Sequence, residues 1–192
     1  MHHRFDNAEK WAKRFDSPKR ARWQKPDAVV AKLKLAPDAH VADIGAGTGY
    51  FAVRLARAAP KGTTYGIDIE KDMVTYLGKR AEREGVKNLQ PVLASTSDAK
   101  IPAPVDMVFV CDTYHHIDAR TKYFKAVADK LKPGGRLVIV DFKMGKIPVG
   151  PPEKHRVTPA TLHEELAAAG YSKVEVDETT LPYQYIAIYT KK

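Results

Sequence analysis

Hydrophobic and polar residues follow a pattern along the chain that switches repeatedly between the period of a strand and that of a helix. Short apolar runs predict buried strands over 40–44, 63–68, 88–94, 105–111 and 136–142. Helical spacing is found over 28–35, 51–57, 71–84, 120–131 and 159–169. Two alternating segments, 173–178 and 183–189, predict a closing antiparallel hairpin. This order predicts an α/β fold with a Rossmann-like, doubly wound, seven-stranded sheet that is mostly parallel.

The first 25 residues interleave aromatic and charged side chains before this alternation begins. The aromatic residues are Phe5, Trp11, Phe15 and Trp23, and Trp11 and Phe15 are spaced to share one helix face. We therefore expect residues 1–26 to form an N-terminal helical cap near the ligand-binding edge of the sheet. Residues 27–192 are expected to form one domain.

Composition limits the setting in which the protein works. No apolar run approaches the roughly 20 residues that span a bilayer, and the first residues lack an apolar leader. Cys111 is the only cysteine, so an intrachain disulfide and a thiolate metal cluster are excluded. We expect a cytoplasmic protein without a metal site.

The positive charge is concentrated at the start of the chain. The net charge is +9, and residues 1–36 carry ten Lys or Arg against four acids. A basic segment can attract nucleic acid, acidic lipid or an anionic substrate, although a solvated surface is the more ordinary explanation.

Three glycines at alternate positions follow the first strand. Gly45, Gly47 and Gly49 come directly after Asp43, and a helix follows them. Such a loop at the carboxyl end of the first strand of an open α/β sheet is typical of nucleoside cofactor sites. Tyr50 stands where a dinucleotide fingerprint would have its third glycine, and a P-loop run is absent from the sequence. A glycine turn without a ligand is the alternative.

Acidic residues also follow the next strands. Asp68 ends the second strand, 19 residues after Gly49, where a carboxylate can accept hydrogen bonds from both ribose hydroxyls of a nucleoside. Asp98 lies in a Ser- and Thr-rich loop after the third strand, where it could equally be a turn residue. The fourth strand leads into a loop that starts at Asp112.

These stretches together resemble the class I S-adenosylmethionine-dependent methyltransferases, in particular their small-molecule branch. The resemblance covers 27–192 and includes the run L-K-P-G-G-x-L-V-I-x-D over 131–141. It implies S-adenosylmethionine as cofactor and S-adenosylhomocysteine as product, with Ile69 against the adenine and Asp98 at its exocyclic amine. The cofactor-binding residues that it implies are Asp43, Gly45, Ala46, Gly47, Gly49, Asp68, Ile69, Asp98, Ala99 and Asp112.

The implied reaction defines what the remaining residues must do. Methyl transfer from a sulfonium is an in-line displacement, so the enzyme aligns the reactants and removes a proton from an acceptor that carries one. The candidate bases in the fourth-strand loop are His116, which we favour, then His115 and Tyr114, because histidine titrates near neutrality. Alternatively, the paired histidines shape the pocket.

The acceptor is expected to be a small molecule. The fourth-strand loop is not the [N/D/S]-P-P-[Y/F/W] loop of enzymes that methylate exocyclic amines of nucleic acids, and the N-terminal aromatics favour an aromatic or apolar acceptor. One alternative is an RNA or protein methyltransferase that docks through its basic N-terminal segment. Another is a non-catalytic binding module. The oligomeric state, monomer or homodimer, stays open.

Overall fold

Seven strands form one sheet in the order β3-β2-β1-β4-β5-β7-β6 in the computed structural model, which describes residues 7–192. The first five strands run parallel, and β7 pairs antiparallel with both β5 and β6. The predicted fold class is therefore confirmed. The strands are β1 Val41–Ile44, β2 Thr64–Asp68, β3 Leu89–Leu93, β4 Val105–Cys111, β5 Leu131–Phe142, β6 Tyr171–Asp177 and β7 Gln184–Lys191.

Helices cover the sheet. They are α1 Ala8–Phe15, α2 Pro18–Gln24, α3 Pro26–Leu33, α4 Ala52–Ala58, α5 Lys71–Arg83, α6 Arg120–Ala128 and α7 Pro159–Ala168. Single 3₁₀ turns occur at Tyr114–His116 and Glu153–His155. Within residues 7–192, no helix is both long and apolar enough to cross a bilayer.

The central strands are buried on both faces, as expected for a parallel sheet covered by helices. On one face Phe109 of β4 packs with Leu33 and Leu55 from α3 and α4. On the other, Val108 belongs to the cluster that includes Phe124 of α6 and Leu162 of α7. The strand order reverses between β1 and β4, and the crevice outside their carboxyl ends is where ligands bind in such folds.

One predicted boundary is wrong. The helix expected over 120–131 ends at Ala128, because Leu131 already pairs with Val105 and begins β5. The ladder then skips to Arg136 opposite Met107, so the Pro-Gly-Gly run forms a bulge inside the strand.

The N-terminal segment forms helices that pack on the domain. Trp11 and Phe15 stack with ring centroids 5.4 Å apart, as their spacing predicted, whereas Phe5 lies outside the described residues. Arg80 of α5 holds Asp16 at 2.8 Å after the end of α1. The division of the chain at residue 26 stays a prediction.

Candidate active site

The glycine loop is joined to the neighbouring strand by backbone hydrogen bonds. The amides of Gly45 and Ala46 both donate to the carbonyl of Ile67, at 2.8 and 2.9 Å. Gly45, Gly47 and Gly49 have φ values of 77°, 53° and 90°, which residues with a side chain rarely adopt. The loop therefore depends on glycine for its shape.

Asp43 is buried in β1, and one of its carboxylate oxygens lacks a hydrogen-bond partner among residues 7–192. Its side chain accepts the amide of Ala52, but among the described residues Oδ2 has no hydrogen-bond partner. Burial first, and then the Asp68 charge, raise the pKa of Asp43 to about 7. Buried Thr48 and Tyr50 also have unpaired hydroxyls within residues 7–192. Such a concentration of unpaired polar atoms around one loop fits a polar ligand, since burying them unpaired is costly.

The other predicted cofactor residues follow β2 and β3. Asp68 accepts from the amides of Gly47 at 2.8 Å and Glu70 at 2.9 Å, while burial raises the pKa of Asp68. Ile69 is exposed just beyond the end of β2, and exposed Leu93 ends β3 opposite Asp68. These positions form an open apolar edge next to a carboxylate.

Asp98 and Ala99 lie in the tight turn after β3. The backbone of Asp98 pairs with Ser95, and its Oδ1 accepts the amide of Lys100 at 2.8 Å. Asp98 is exposed, whereas Ala99 is buried. The turn follows the strand next to β2, so it lies on the same edge as Asp68.

Asp112, at the start of the loop after β4, holds the N-terminal helix α2. Its carboxylate accepts from Arg20 at 3.0 Å, from Gln24 at 3.1 Å and from Gln184. Both oxygens thus accept hydrogen bonds from side chains, and the prediction of Asp112 as a direct cofactor residue stays a prediction. Sequence reasoning missed Arg20, Gln24 and Gln184, because their partners are distant in the chain.

The hydroxyl of Tyr114 is already hydrogen-bonded to a carboxylate. The residue is fully buried, and its hydroxyl donates to Glu165 of α7 at 2.6 Å. Burial first, together with the Glu165 carboxylate, raises the pKa of Tyr114 well above its ordinary value. A role for Tyr114 as the base stays a prediction, and the geometry favours it least of the three candidates, because its oxygen is hydrogen-bonded and its ionisation is disfavoured.

His115 is paired with a carboxylate. Its Nδ1 lies 2.9 Å from Oδ1 and 3.1 Å from Oδ2 of Asp141, and the two side chains are 3% and 0% exposed. Asp141 is the last residue but one of β5, and it also accepts the amide of Phe142. His116 lies beside this pair, exposed, with the two imidazole centroids 4.2 Å apart. The pairing favours His115 over His116 as the base, and the sequence alone had assigned no role to Asp141.

Aromatic side chains flank this pair. Phe142 lies edge-on to His115, with ring centroids 6.1 Å apart. The ring centroid of Trp23 on α2 lies 6.0 Å from that of Phe142 and 6.4 Å from that of Tyr183. Trp23 and Tyr183 are only half-buried. These three aromatic residues, Trp23, Phe142 and Tyr183, are called the aromatic wall below.

Arg156 holds the segment that follows β5. Arg156 donates to the carbonyls of Lys143 at 3.1 Å, Gly145 at 2.7 Å and Pro151 at 2.8 Å. His155 is exposed in this segment.

Comparison with known proteins identifies the family. Residues 35–184 match the family model described as a methyltransferase domain. A SAM-dependent methyltransferase from Aquifex aeolicus has a structure that superposes with a TM-score of 0.87 at 27% identity, covering 95% of this chain and 97% of that one. The chain therefore belongs to the class I S-adenosylmethionine-dependent methyltransferases.

Curated relatives match over part of their length. The 27-O-demethylrifamycin SV methyltransferase of Amycolatopsis mediterranei is 32% identical over 128 residues, which is 65% of this chain and 46% of the relative. Protein-L-isoaspartate O-methyltransferase of Pyrococcus horikoshii is 31% identical over 118 residues, 59% of this chain and 50% of the relative. The chain thus spans about half the length of these relatives.

The residues present fit the cofactor of the class. The unpaired Oδ2 of Asp43 suits the ammonium of the methionine part, and Asp68 at the end of β2 suits the ribose hydroxyls. Ile69 and Leu93 offer apolar surface to an adenine, with the Asp98 turn beside them.

Proposed function

We propose that the protein transfers a methyl group from S-adenosylmethionine to a hydroxyl group of a small aromatic molecule. The observation that carries this proposal is the buried His115–Asp141 pair at the carboxyl ends of β4 and β5. Because Asp141 holds Nδ1, the second ring nitrogen of His115 is left to accept a proton from the acceptor, and the carboxylate stabilises the imidazolium that forms.

The cofactor side is assigned to residues of the first three strands. When bound, S-adenosylmethionine supplies an electrophilic methyl group on a leaving thioether. Asp43 binds the ammonium, Asp68 binds the ribose hydroxyls, and the Asp98 turn meets the adenine. Such positioning can contribute on the order of 7–11 kcal/mol to lowering the barrier.

The acceptor is assigned to the aromatic wall. A flat ring packed against half-buried Trp23 would bring its hydroxyl towards His115, which lies edge-on to Phe142 of the same wall. A small acceptor is supported because α2 packs across the carboxyl end of β4 and the amino end of β7 through Gln24. It is also supported by a relative named for an O-demethylated rifamycin.

Acceptors of RNA or protein are the second candidate. Exposed basic side chains on α1 and α2 favour them, namely Lys10, Lys13, Arg14, Lys19 and Arg22. A tRNA U34 carboxymethyltransferase from Desulfotalea psychrophila is 30% identical over 121 residues, 62% of this chain and 36% of that relative.

The test is a methyl-transfer assay with S-adenosylmethionine that detects S-adenosylhomocysteine. The acceptors are phenols and hydroxyquinones, compared with thiols, amines, bulk tRNA and unfolded protein. We expect turnover with hydroxylated aromatics that is lost in His115→Gln and kept in His155→Gln, whose histidine lies exposed in another segment. Turnover confined to tRNA or protein, weakened by added salt, would establish the second candidate.

A further inference from the structure

Arg20 of α2 is a largely buried cation with unused hydrogen-bonding capacity. Its side chain is 15% exposed, and its three nitrogens donate to Gln24, to the carbonyl of Phe15 at 3.1 Å and to Asp112 at 3.0 Å. A guanidinium has five N–H groups, and residues 7–192 accept three of those on Arg20. One N–H on each terminal nitrogen is left for a further acceptor.

Arg20 lies beside the glycine loop. Its guanidinium stacks over the ring of Tyr50 at 4.2 Å from the centroid, and Tyr50 directly follows Gly49. The Arg20 charge also lowers the pKa of Asp43 against the larger effect of burial, so the two groups act on each other. The helix thus brings a cation to the carboxylate that suits the cofactor's ammonium.

The carboxylate of the bound cofactor would need a cation at this edge of the sheet. Asp43, Asp68 and Asp112 are three carboxylates around the loop, and the methionine part of the cofactor adds a fourth. A carboxylate placed among carboxylates needs a cation within hydrogen-bond distance, preferably an arginine with two parallel N–H groups.

Two other arginines near the loop are less suited to bind the carboxylate of the cofactor. Arg80 is held by both Asp16 and Glu84, at 2.8 Å each. Arg54 also stacks on Tyr50, at 4.4 Å, but it is 30% exposed and pairs with Asp27 of α3.

We propose that Arg20 binds the carboxylate of the cofactor's methionine part through its two remaining N–H groups. The inference rests on the cofactor of the class and is independent of the acceptor proposed above. Gln24, Asp112 and Gln184 then serve to position Arg20. Because Trp23 is on the same helix, cofactor binding also stabilises the docked aromatic wall.

The experiment compares two ligands by isothermal titration of the whole chain. Decarboxylated S-adenosylmethionine keeps the sulfonium and the ammonium but lacks the carboxylate. Charge-assisted hydrogen bonds contribute about 1.5–3 kcal/mol, so we expect the parent to bind S-adenosylmethionine about 10- to 150-fold more tightly than this analogue. Arg20→Met should bind the two ligands with affinities within about threefold, since the interaction is then missing from both complexes.

Matched variants separate recognition from folding. Arg54→Met, which removes the other guanidinium on the same ring, should keep the parental preference. Arg20→Lys keeps the charge but loses the paired N–H geometry, so we expect a reduced, measurable preference even if Arg20→Met does not fold.

Several outcomes would overturn the inference. Arg20 would be assigned to docking of the N-terminal helices alone if Arg20→Met still preferred S-adenosylmethionine over its decarboxylated analogue, with or without an equal weakening of both ligands. A parent protein that binds the two ligands equally well would lead to the same conclusion. A parent that binds neither ligand rejects this inference together with the cofactor assignment. Intact ligand preference without turnover of any hydroxylated aromatic rejects only the proposed acceptor.

Discussion

A β-carbon added to Gly45 would lie 2.1 Å from the Oγ1 atom of Thr113, which follows β4. The loops after β1 and β4 are therefore in contact at the point where the strand order reverses. The hydroxyl of Thr113 is itself fixed, because it donates to the carbonyl of Cys111 at 2.9 Å. A side chain at position 45 would separate the two loops that build the site.

Gly45→Ala should therefore lower both stability and cofactor affinity. Gly85→Ala is the matched control: its φ is 66° against 77° at Gly45, but nothing lies within 4 Å of its β-carbon. We expect the control to cost about 1–2 kcal/mol from backbone strain, and Gly45→Ala to cost about 1–3 kcal/mol more from the overlap. Urea unfolding and S-adenosylhomocysteine titration measure both. Equal costs at the two positions would contradict the contact.

Asp43→Asn should stabilise the protein and weaken the cofactor. The carboxyl of Asp43 ionises near 3.8 in an unfolded chain and at a pKa of about 7 when folded, so the parent loses stability as pH rises from 4 to 7. Asparagine does not titrate, and the variant should gain up to about 4 kcal/mol above pH 7 and nothing near pH 4. Denaturant unfolding at pH 4, 6 and 8 measures this difference.

The same carboxyl predicts the pH dependence of cofactor binding. Only ionised Asp43 pairs with the cofactor's ammonium, so parental affinity for S-adenosylhomocysteine should increase between pH 6 and pH 8. Asp43→Asn should bind about 10- to 100-fold more weakly at pH 8, from the loss of a charge-assisted hydrogen bond, with a flat profile over this interval. A parent without pH dependence here would argue against this role.

Asp141→Asn should lower kcat by about 10²- to 10⁴-fold, because the imidazole of His115 loses the carboxylate that orients it and stabilises its protonated form. Cofactor affinity should stay within about twofold. His115→Gln should lose a similar amount, and the double variant little more, since the two residues act as one unit.

His116→Gln is the control for that pair. It removes the exposed neighbour of His115 and should leave kcat within a few-fold of the parent. A large loss in His116→Gln with full activity in Asp141→Asn would restore His116 as the base and reduce the pair to a structural contact.

Trp23→Leu should raise the acceptor KM by about 2- to 12-fold and change the cofactor Kd by no more than about twofold. Leucine keeps apolar bulk but removes the ring that a flat acceptor would stack against, and aromatic pairs contribute about 0.5–1.5 kcal/mol beyond burial. Trp23→Phe should recover most of the affinity. Trp11→Leu serves as the control on α1, and a KM raised equally by both leucine variants would point to general loosening of the cap.

Strand ends were predictable from sequence because each produces a local signal. The acid-glycine pattern at Asp43 and the carboxylate of Asp68 can each be recognised within a few residues of sequence. In the structure both lie at the same edge of the sheet. The fold follows from the same alternation of apolar runs.

The rest of the site depends on pairings between distant residues, which local patterns do not encode. Tyr114 and His115 are adjacent, yet the hydroxyl of Tyr114 bonds to Glu165 of α7 and the imidazole of His115 bonds to Asp141 of β5. Nothing in the loop sequence says which residue meets which element. Arg20 was similarly visible only as one of many basic residues, because its partner Asp112 is 92 positions away.

The buried hydrogen bond of 2.9 Å from Gln24 to Gln184 joins positions 160 residues apart. Closing so long a loop costs conformational entropy. The contacts that offset this cost exist only when the C-terminal hairpin is paired with β5. Gln24 is on α2 and Gln184 begins β7, so this bond cannot form unless the hairpin of β6 and β7 is present. Docking of α2, and with it the position of Trp23, is therefore tied to the pairing of the C-terminal hairpin.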